Sequence, residues 1–332
     1  MLAVTTAASR PSTPEQTESP MPEGIHDAVL IVNPRAGRAR GASASQIERA
    51  RKILQHDGIE TELAPTDCPG AAVEIARRAV AAQRQMVIAC GGDGTFNEVV
   101  NGLAGSQVPL ALLPAGTANV LAKELALPWN VERAAKLVAR SRLRRIALGL
   151  AISDGEPPPG RYFLSVGGAG PDGAIVHALS LGLKDRAGIL AYWAEGFRQL
   201  IAYRFPRFRV TAGDQTIEGT LVVAGRTKHY GGPFQITTEA DLYSGEFELM
   251  VCTTGSRWRY LSYLALLSTG RLRSARHVRF FKAASVRCEP LDAVRAYTQV
   301  DGEPLGRLPA EFRIVPDALT LAVPEPPGRA SR

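Results

Sequence analysis

Between residues 28 and 150 one alternation repeats: a short apolar, β-branched run, then a stretch with helical periodicity. That rhythm confines the chain to a parallel sheet wrapped by helices, because parallel strands need a long crossover and a helix supplies it. The pattern predicts strands over 28–33, 59–63, 86–90 and 110–113, and helices over 45–56, 70–82, 96–103, 118–125 and 131–140. After Gly149 the pattern changes. A GEPPPG loop at 155–160 precedes predicted strands over 162–166, 208–211, 216–224, 247–252, 278–281 and 285–288, with helical insertions near 187–203 and 258–267.

The 332 residues are enough for two domains at about 150 residues each. The boundaries expected are a disordered lead-in over 1–25, with Met21 as an alternative start, an α/β domain over 26–150, a β-rich domain over 151–318 and a disordered tail over 319–332. The lead-in lacks the apolar stretch of a secretory signal, and no run approaches the length of a transmembrane helix. Four widely spaced cysteines without a C-x-x-C pair fit a reducing, cytoplasmic compartment. The net charge of +7 favours anionic partners such as nucleotides or an anionic membrane surface. Nucleic acid is not expected, since no recognisable binding module accompanies the charge. None of the six lysines completes a P-loop, and the histidines form no H-x-x-x-H pair, so a metal would sit on oxygen ligands as Mg²⁺ does.

The strongest motif is Gly91-Gly92-Asp93-Gly94-Thr95, between a buried strand and a helix carrying Asn97, Glu98 and Asn101. Glycines there expose successive N–H groups beside a helix start, which suits a phosphate. A carboxylate beside phosphate suits a bridging cation, so Asp93 is expected to hold the catalytic Mg²⁺. The alternative is a tight strand-to-helix turn with Thr95 as the N-cap. Pro114-Ala115-Gly116-Thr117-Ala118-Asn119 repeats the arrangement after the next strand, and Asn33-Pro34-Arg35-Ala36-Gly37-Arg38 ends the first strand with two arginines. All three loops emerge at the carboxyl edge of the sheet, where one ligand can touch them together.

The stretches VNPRAG, GGDGTFNEVVNGL, LPAGTANVLAKEL and VDGEPL resemble the diacylglycerol kinase catalytic family, which includes bacterial lipid kinases and the sphingosine and ceramide kinases. The resemblance spans residues 28 to about 316. GGDGT alone is shared with NAD kinases and phosphofructokinases. The resemblance implies an α/β nucleotide-binding domain of NAD kinase/phosphofructokinase type, a β-sandwich domain, and an active site in the cleft between them. It implies ATP contacts at Thr66, Gly92, Asp93, Gly94, Thr95, Phe96, Asn97, Glu98 and Thr117, and the reading of the three loops adds Asn33, Arg38, Gly91, Gly116 and Asn119 to the expected cofactor site. The catalytic set is Asp93, Asp301 and Glu303, with Glu303 as the base that takes the proton of the attacking hydroxyl. Read alone, Asp301-Gly302 would be a hairpin turn.

Two departures stand out. Val120 follows Asn119 where many bacterial members have Asp. Ser244 precedes Gly245 where bacterial members have an Asp that ligates a structural Mg²⁺, which leaves Asp241 and Ser244 as the residues a structural metal would have to use. The G-x-G-x-x-G match over 168–173 lacks the βαβ context of a dinucleotide site, although Asp172 matches an acidic position facing the cleft in the resembling family. A helical stripe of Ile189, Leu190, Trp193, Phe197, Leu200 and Ile201 beside Arg198 and Arg204 reads as a core helix or a membrane contact. Seven bases without an acid over 257–282 read as a solvated face or a membrane-docking surface.

The expected protein is an ATP- and Mg²⁺-dependent lipid kinase, cytoplasmic and peripheral at the inner membrane face, acting on a diacylglycerol-like hydroxyl. A sphingoid or other long-chain lipid kinase, an NAD kinase and a non-catalytic nucleotide-binding regulator are the alternatives. The oligomeric state, a homodimer included, stays open.

Overall fold

A computed structural model describes residues 18–21, 24–36, 43–180, 203–231, 234–291 and 293–325. The predicted alternation is present as β1 (Glu18–Pro20), β2 (Asp27–Val32), α1 (Ala44–His56), β3 (Glu60–Pro65), α2 (Ala71–Ala81), β4 (Met86–Gly91), α3 (Asp93–Leu103), β5 (Leu110–Pro114), α4 (Val120–Glu124) and α5 (Val131–Val138). Strands β3, β2, β4 and β5 pair in parallel in that order. Strand β4 is buried along its whole length, as a central parallel strand covered on both faces must be. On one face Phe96, Val99, Val100 and Leu103 of α3 pack with Ile75, Ala76 and Ala79 of α2. On the other, Ala50 and Leu54 of α1 meet Val131, Ala134, Ala135 and Val138 of α5. Each large aliphatic side chain so buried contributes about 1.5–3 kcal/mol.

The β-rich half holds β6 (Arg142–Asp154), β7 (Arg161–Phe163), β8 (Val166–Ala169), α6 (Pro171–Ser180), β9 (Phe208–Ala212), β10 (Gln215–Gly219) and β11 (Leu221–Gly225). It continues with β12 (His229–Tyr230), β13 (Phe234–Gln235), β14 (Phe247–Cys252), α7 (Arg257–Ser268), β15 (Val278–Ala283), β16 (Ser285–Pro290), β17 (Tyr297–Val300) and β18 (Glu303–Val323). Phe163, stacked on Phe247 and edge-on to Phe312, centres its core.

The two halves share one sheet. Strand β18 pairs with β17, β16 and β6, then meets β5 in parallel at Leu321 and Leu110. Strand β6 runs across the expected boundary at 150/151. The expected ends are corrected in two places. The tail begins later than 319, because Leu319 and Leu321 alternate inward and are fully buried; Pro324 follows the strand's end. The lead-in is not all irregular, since β1 adds antiparallel to the open edge of β6. The predicted strand over 162–166 is interrupted where the N–H groups of Leu164, Ser165 and Val166 turn to a side chain. The predicted helix near 187–203 and its apolar stripe lie outside the described residues, apart from Tyr203 at its end, which is not helical; the neighbouring Arg204 is also described.

Candidate active site

Helix α3 begins at Asp93 with Gly92 as its N-cap, so Thr95 lies inside the helix rather than capping it. Its side chain fills the space above Gly91, and Asn33 Nδ2 donates to Thr95 Oγ1 at 3.1 Å, joining the first and second loops. Asn33 Oδ1 accepts from Arg35 N at 2.9 Å, holding its own turn. The third loop closes on itself through Asn119, which sits in the left-handed region at φ 46°. Its Oδ1 accepts from Gly116 N at 3.0 Å and its Nδ2 donates to Gly116 O at 2.9 Å. Gly92 and Gly116 then meet backbone to backbone: a methyl group on Gly92 would lie 3.1 Å from Gly116 Cα. Only glycine permits that approach.

The DGE segment arrives from the far end of the chain. Val300 pairs with Glu303, and Asp301 and Gly302 between them have φ of 49° and 80°, a two-residue hairpin turn with both central residues left-handed. The hairpin turn expected from Asp301-Gly302 is present. Asp301 points inward, where Oδ2 accepts from Asn97 Nδ2 at 2.9 Å and Leu164 N at 2.8 Å, and Oδ1 accepts from Ser165 N at 2.9 Å and Val166 N at 3.0 Å. Burial raises its pKa, and those hydrogen bonds partly offset the rise. Glu303 stands beside the glycine loop, its Oε1 3.4 Å from where a methyl on Gly94 would be.

Asp93 lies near the start of α4, where the backbone N–H groups of Val120, Leu121 and Asn119 favour its charged form. Burial, then the nearby charge of Asp301, pushes its pKa up to about 6. Like-charged carboxylates near one another favour an added cation, so the Asp93 carboxylate fits an Mg²⁺.

Several expected ATP contacts take other roles. Phe96 is a core residue, because a helix starting at Asp93 turns it inward. Asn97 is buried and bonded to Asp301 and to Tyr162 O. Glu98 Oε2 accepts from Ala72 N at 3.2 Å at the start of α2. Thr66 follows β3 and Thr117 is exposed on the third loop, while Arg38 lies outside the described residues.

The structural metal site does not fit. Asp241 Oδ1 accepts from Tyr243 N and Ser244 Oγ from Glu246 N. The intervening Leu242 carbonyl accepts from the fully buried Arg226 at 2.6 Å, and Arg226 also donates to Ala147 O at 2.7 Å. Arg226 brings a positive charge close to Asp241, where a dication would be repelled.

Sequence reasoning missed three residues. Asn101 joins α3 to β7, donating to Tyr162 O and accepting from Tyr162 N, both at 2.9 Å. Its signal was a second Asn four positions after Asn97, on the same helix face. Gln299 donates to Asp172 Oδ2 at 2.7 Å and accepts from Gly302 N at 2.9 Å, tying the DGE turn to α6. Tyr230 donates to the other oxygen of Asp172. Burial raises the Asp172 pKa against those two donors. The carboxylate also fills the place a side chain on Gly168 would take, so the G-x-G-x-x-G match is a packing feature.

Residues 27–151 match the family model described as the diacylglycerol kinase catalytic domain, and residues 166–323 match the YegS C-terminal NAD kinase beta sandwich-like domain. The chain belongs to the diacylglycerol kinase catalytic family. A diacylglycerol kinase of Bacillus subtilis (strain 168) is 28% identical over 290 residues, covering 86% of this chain and 92% of the relative. One from Staphylococcus saprophyticus is 28% identical over 267 residues, covering 78% and 83%. Two Bacillus anthracis str. Sterne crystal structures assigned to diacylglycerol kinases superimpose with TM-scores of 0.73 and 0.66, each 20% identical over 91% of this chain and 96% and 97% of theirs. At that identity the likeness speaks for the fold. The protein is a lipid kinase with an α/β half and a β-rich half.

Proposed function

We propose that this lipid kinase transfers the γ-phosphate of ATP to the hydroxyl of a diacylglycerol-like lipid, with Mg²⁺, in the cleft between its halves. The observation that carries the reading is Glu303 beside Gly94, on a turn anchored to the glycine-loop helix by Asn97 and Asp301. Backbone N–H groups of the abutting Gly92 and Gly116 loops receive phosphate oxygens, and the Asn33–Thr95 contact fixes the first loop against them. Glu303 accepts the proton of the lipid hydroxyl as the hydroxyl oxygen attacks the γ-phosphorus, and the bond from that phosphorus to the β,γ-bridging oxygen breaks to release ADP. Asp301 is a positioning residue, since its four hydrogen bonds lie within the protein. Mg²⁺, when bound near Asp93, supplies charge that offsets the phosphates. Such a substrate places the enzyme at the cytoplasmic membrane face.

The test is transfer of labelled γ-phosphate from ATP to a panel of diacylglycerol, sphingoid base, ceramide and NAD, with and without EDTA. Label in diacylglycerol that EDTA abolishes is the expected result. Label in a sphingoid base or NAD alone would replace the reading.

A further inference from the structure

We infer that the exposed face of α7 is the surface by which this kinase docks on an anionic phospholipid bilayer. Helix α7 holds itself to the protein by Tyr260 and Tyr263, with Tyr260 stacked on Phe205 at 4.4 Å. The side turned away carries Trp258 and Ala265, both exposed and two turns apart on one face, while Leu261 at its edge packs partly against the core. Trp258 is 75% exposed, the most exposed large hydrophobic side chain among the described residues. Arg257 and Arg259 lie about 100° of helical rotation to either side of it.

The helix start is built against its own stability. Two arginines occupy the first turn, where the helix dipole is positive; no acid accompanies them, and Ser256 makes no side-chain capping bond. No ion pair among the described residues engages Arg257, Arg259, Arg271, Arg276 or Arg279. Arg273, by contrast, is bonded to Glu239 and Glu248 and belongs to the fold. A local choice that opposes folding marks a functional surface. Unpaired arginines around an exposed tryptophan match the phosphate and interfacial layers of an anionic membrane. The position also suits the reaction: α7 abuts β13, whose hairpin partner β12 carries Tyr230 to Asp172. The inference rests on the acceptor being a membrane lipid.

The experiment is flotation of the full chain with phosphatidylcholine vesicles, with and without phosphatidylglycerol, in the absence of ATP. Alongside it, kinase activity is measured on a short-chain diacylglycerol dispersed as monomers. Wild type should float only with the anionic vesicles. R257E/R259E should reduce the partition by well over thirtyfold, and the milder R257Q/R259Q by about thirtyfold. Quenching of tryptophan emission by brominated lipid should vanish in W258F. Activity on the dispersed acceptor should stay at wild-type level in all three variants. Unchanged flotation in both arginine variants, quenching that persists in W258F, or preference for duplex DNA over the vesicles would each overturn the inference. Docking without phosphorylation of any lipid would uphold this surface and remove the functional reading. Phosphorylation of the dispersed acceptor with no anionic-vesicle binding would do the reverse.

Discussion

Asn97 and Asp301 are 204 residues apart in sequence and 2.9 Å apart in space, and their hydrogen bond fastens the turn bearing Glu303 to the helix that follows the glycine loop. Asp301→Asn replaces an acceptor of four hydrogen bonds with a group that must present N–H to other N–H donors. Stability should fall by about 2–4 kcal/mol, as for loss of bonds to a buried charged acceptor. Urea denaturation measures it; a change within experimental error would mean that Asp301 does not anchor the turn.

Glu303→Gln keeps the size and removes the proton acceptor. The expected outcome is a fall in kcat of about 10² to 10⁴ with ATP affinity unchanged. Rates with saturating lipid in mixed micelles, beside calorimetric ATP titration, separate the two. A defect explained wholly by weaker ATP binding would make Glu303 a nucleotide-site residue instead.

Gly116→Ala puts a methyl group into the backbone of Gly92. The loops must separate, at a stability loss of about 1–3 kcal/mol, and under the proposed function ATP affinity should fall with it, since both loops would supply N–H groups to phosphate. Retained affinity in equilibrium binding would show that the nucleotide does not bridge them.

Asp93 gives a pH dependence with a definite sign. Its folded pKa, about 6, lies above the ordinary 3.8, so the folded chain binds this proton more tightly than the unfolded chain. The stabilisation is complete below 3.8 and is lost as pH rises to about 6. In metal-free buffer, Tm of wild type minus that of Asp93→Asn should decrease through this window and level off above it. A flat difference would mean that Asp93 does not titrate there.

Gln299→Leu withdraws the acceptor of Gly302 N and a donor to Asp172. If Gln299 positions the turn, kcat drops while KM for ATP holds, and Gln299→Glu restores the bond to Gly302 but opposes Asp172. A purely structural role would instead lower Tm in both variants and leave kcat per folded enzyme unchanged.

The parallel half was legible because each strand there is a short apolar run and each helix has a regular apolar face; β4 and β14 lie where their residues predict. Strands β6 and β18 escaped notice for a common reason. Arg142, Arg144 and Arg145 disguise the start of one, and Pro304, Pro309 and Pro316 interrupt the other, so neither looks like a strand until its partner is known. The loops of the site were visible as glycine-rich turns, but the direction of each side chain was not. Phe96 and Glu98 follow from where α3 starts, a matter of one helical turn. The bonds from Gln299 and Tyr230 to Asp172 join segments that no local pattern connects.

Strand β18 also governs how the protein comes into being. Strand β5 gains its outer neighbour only when residues near Leu321 arrive, so on the ribosome the parallel half waits with an open sheet edge while the whole β-rich half is made. Arrival of β18, rather than completion of the first 150 residues, closes the sheet.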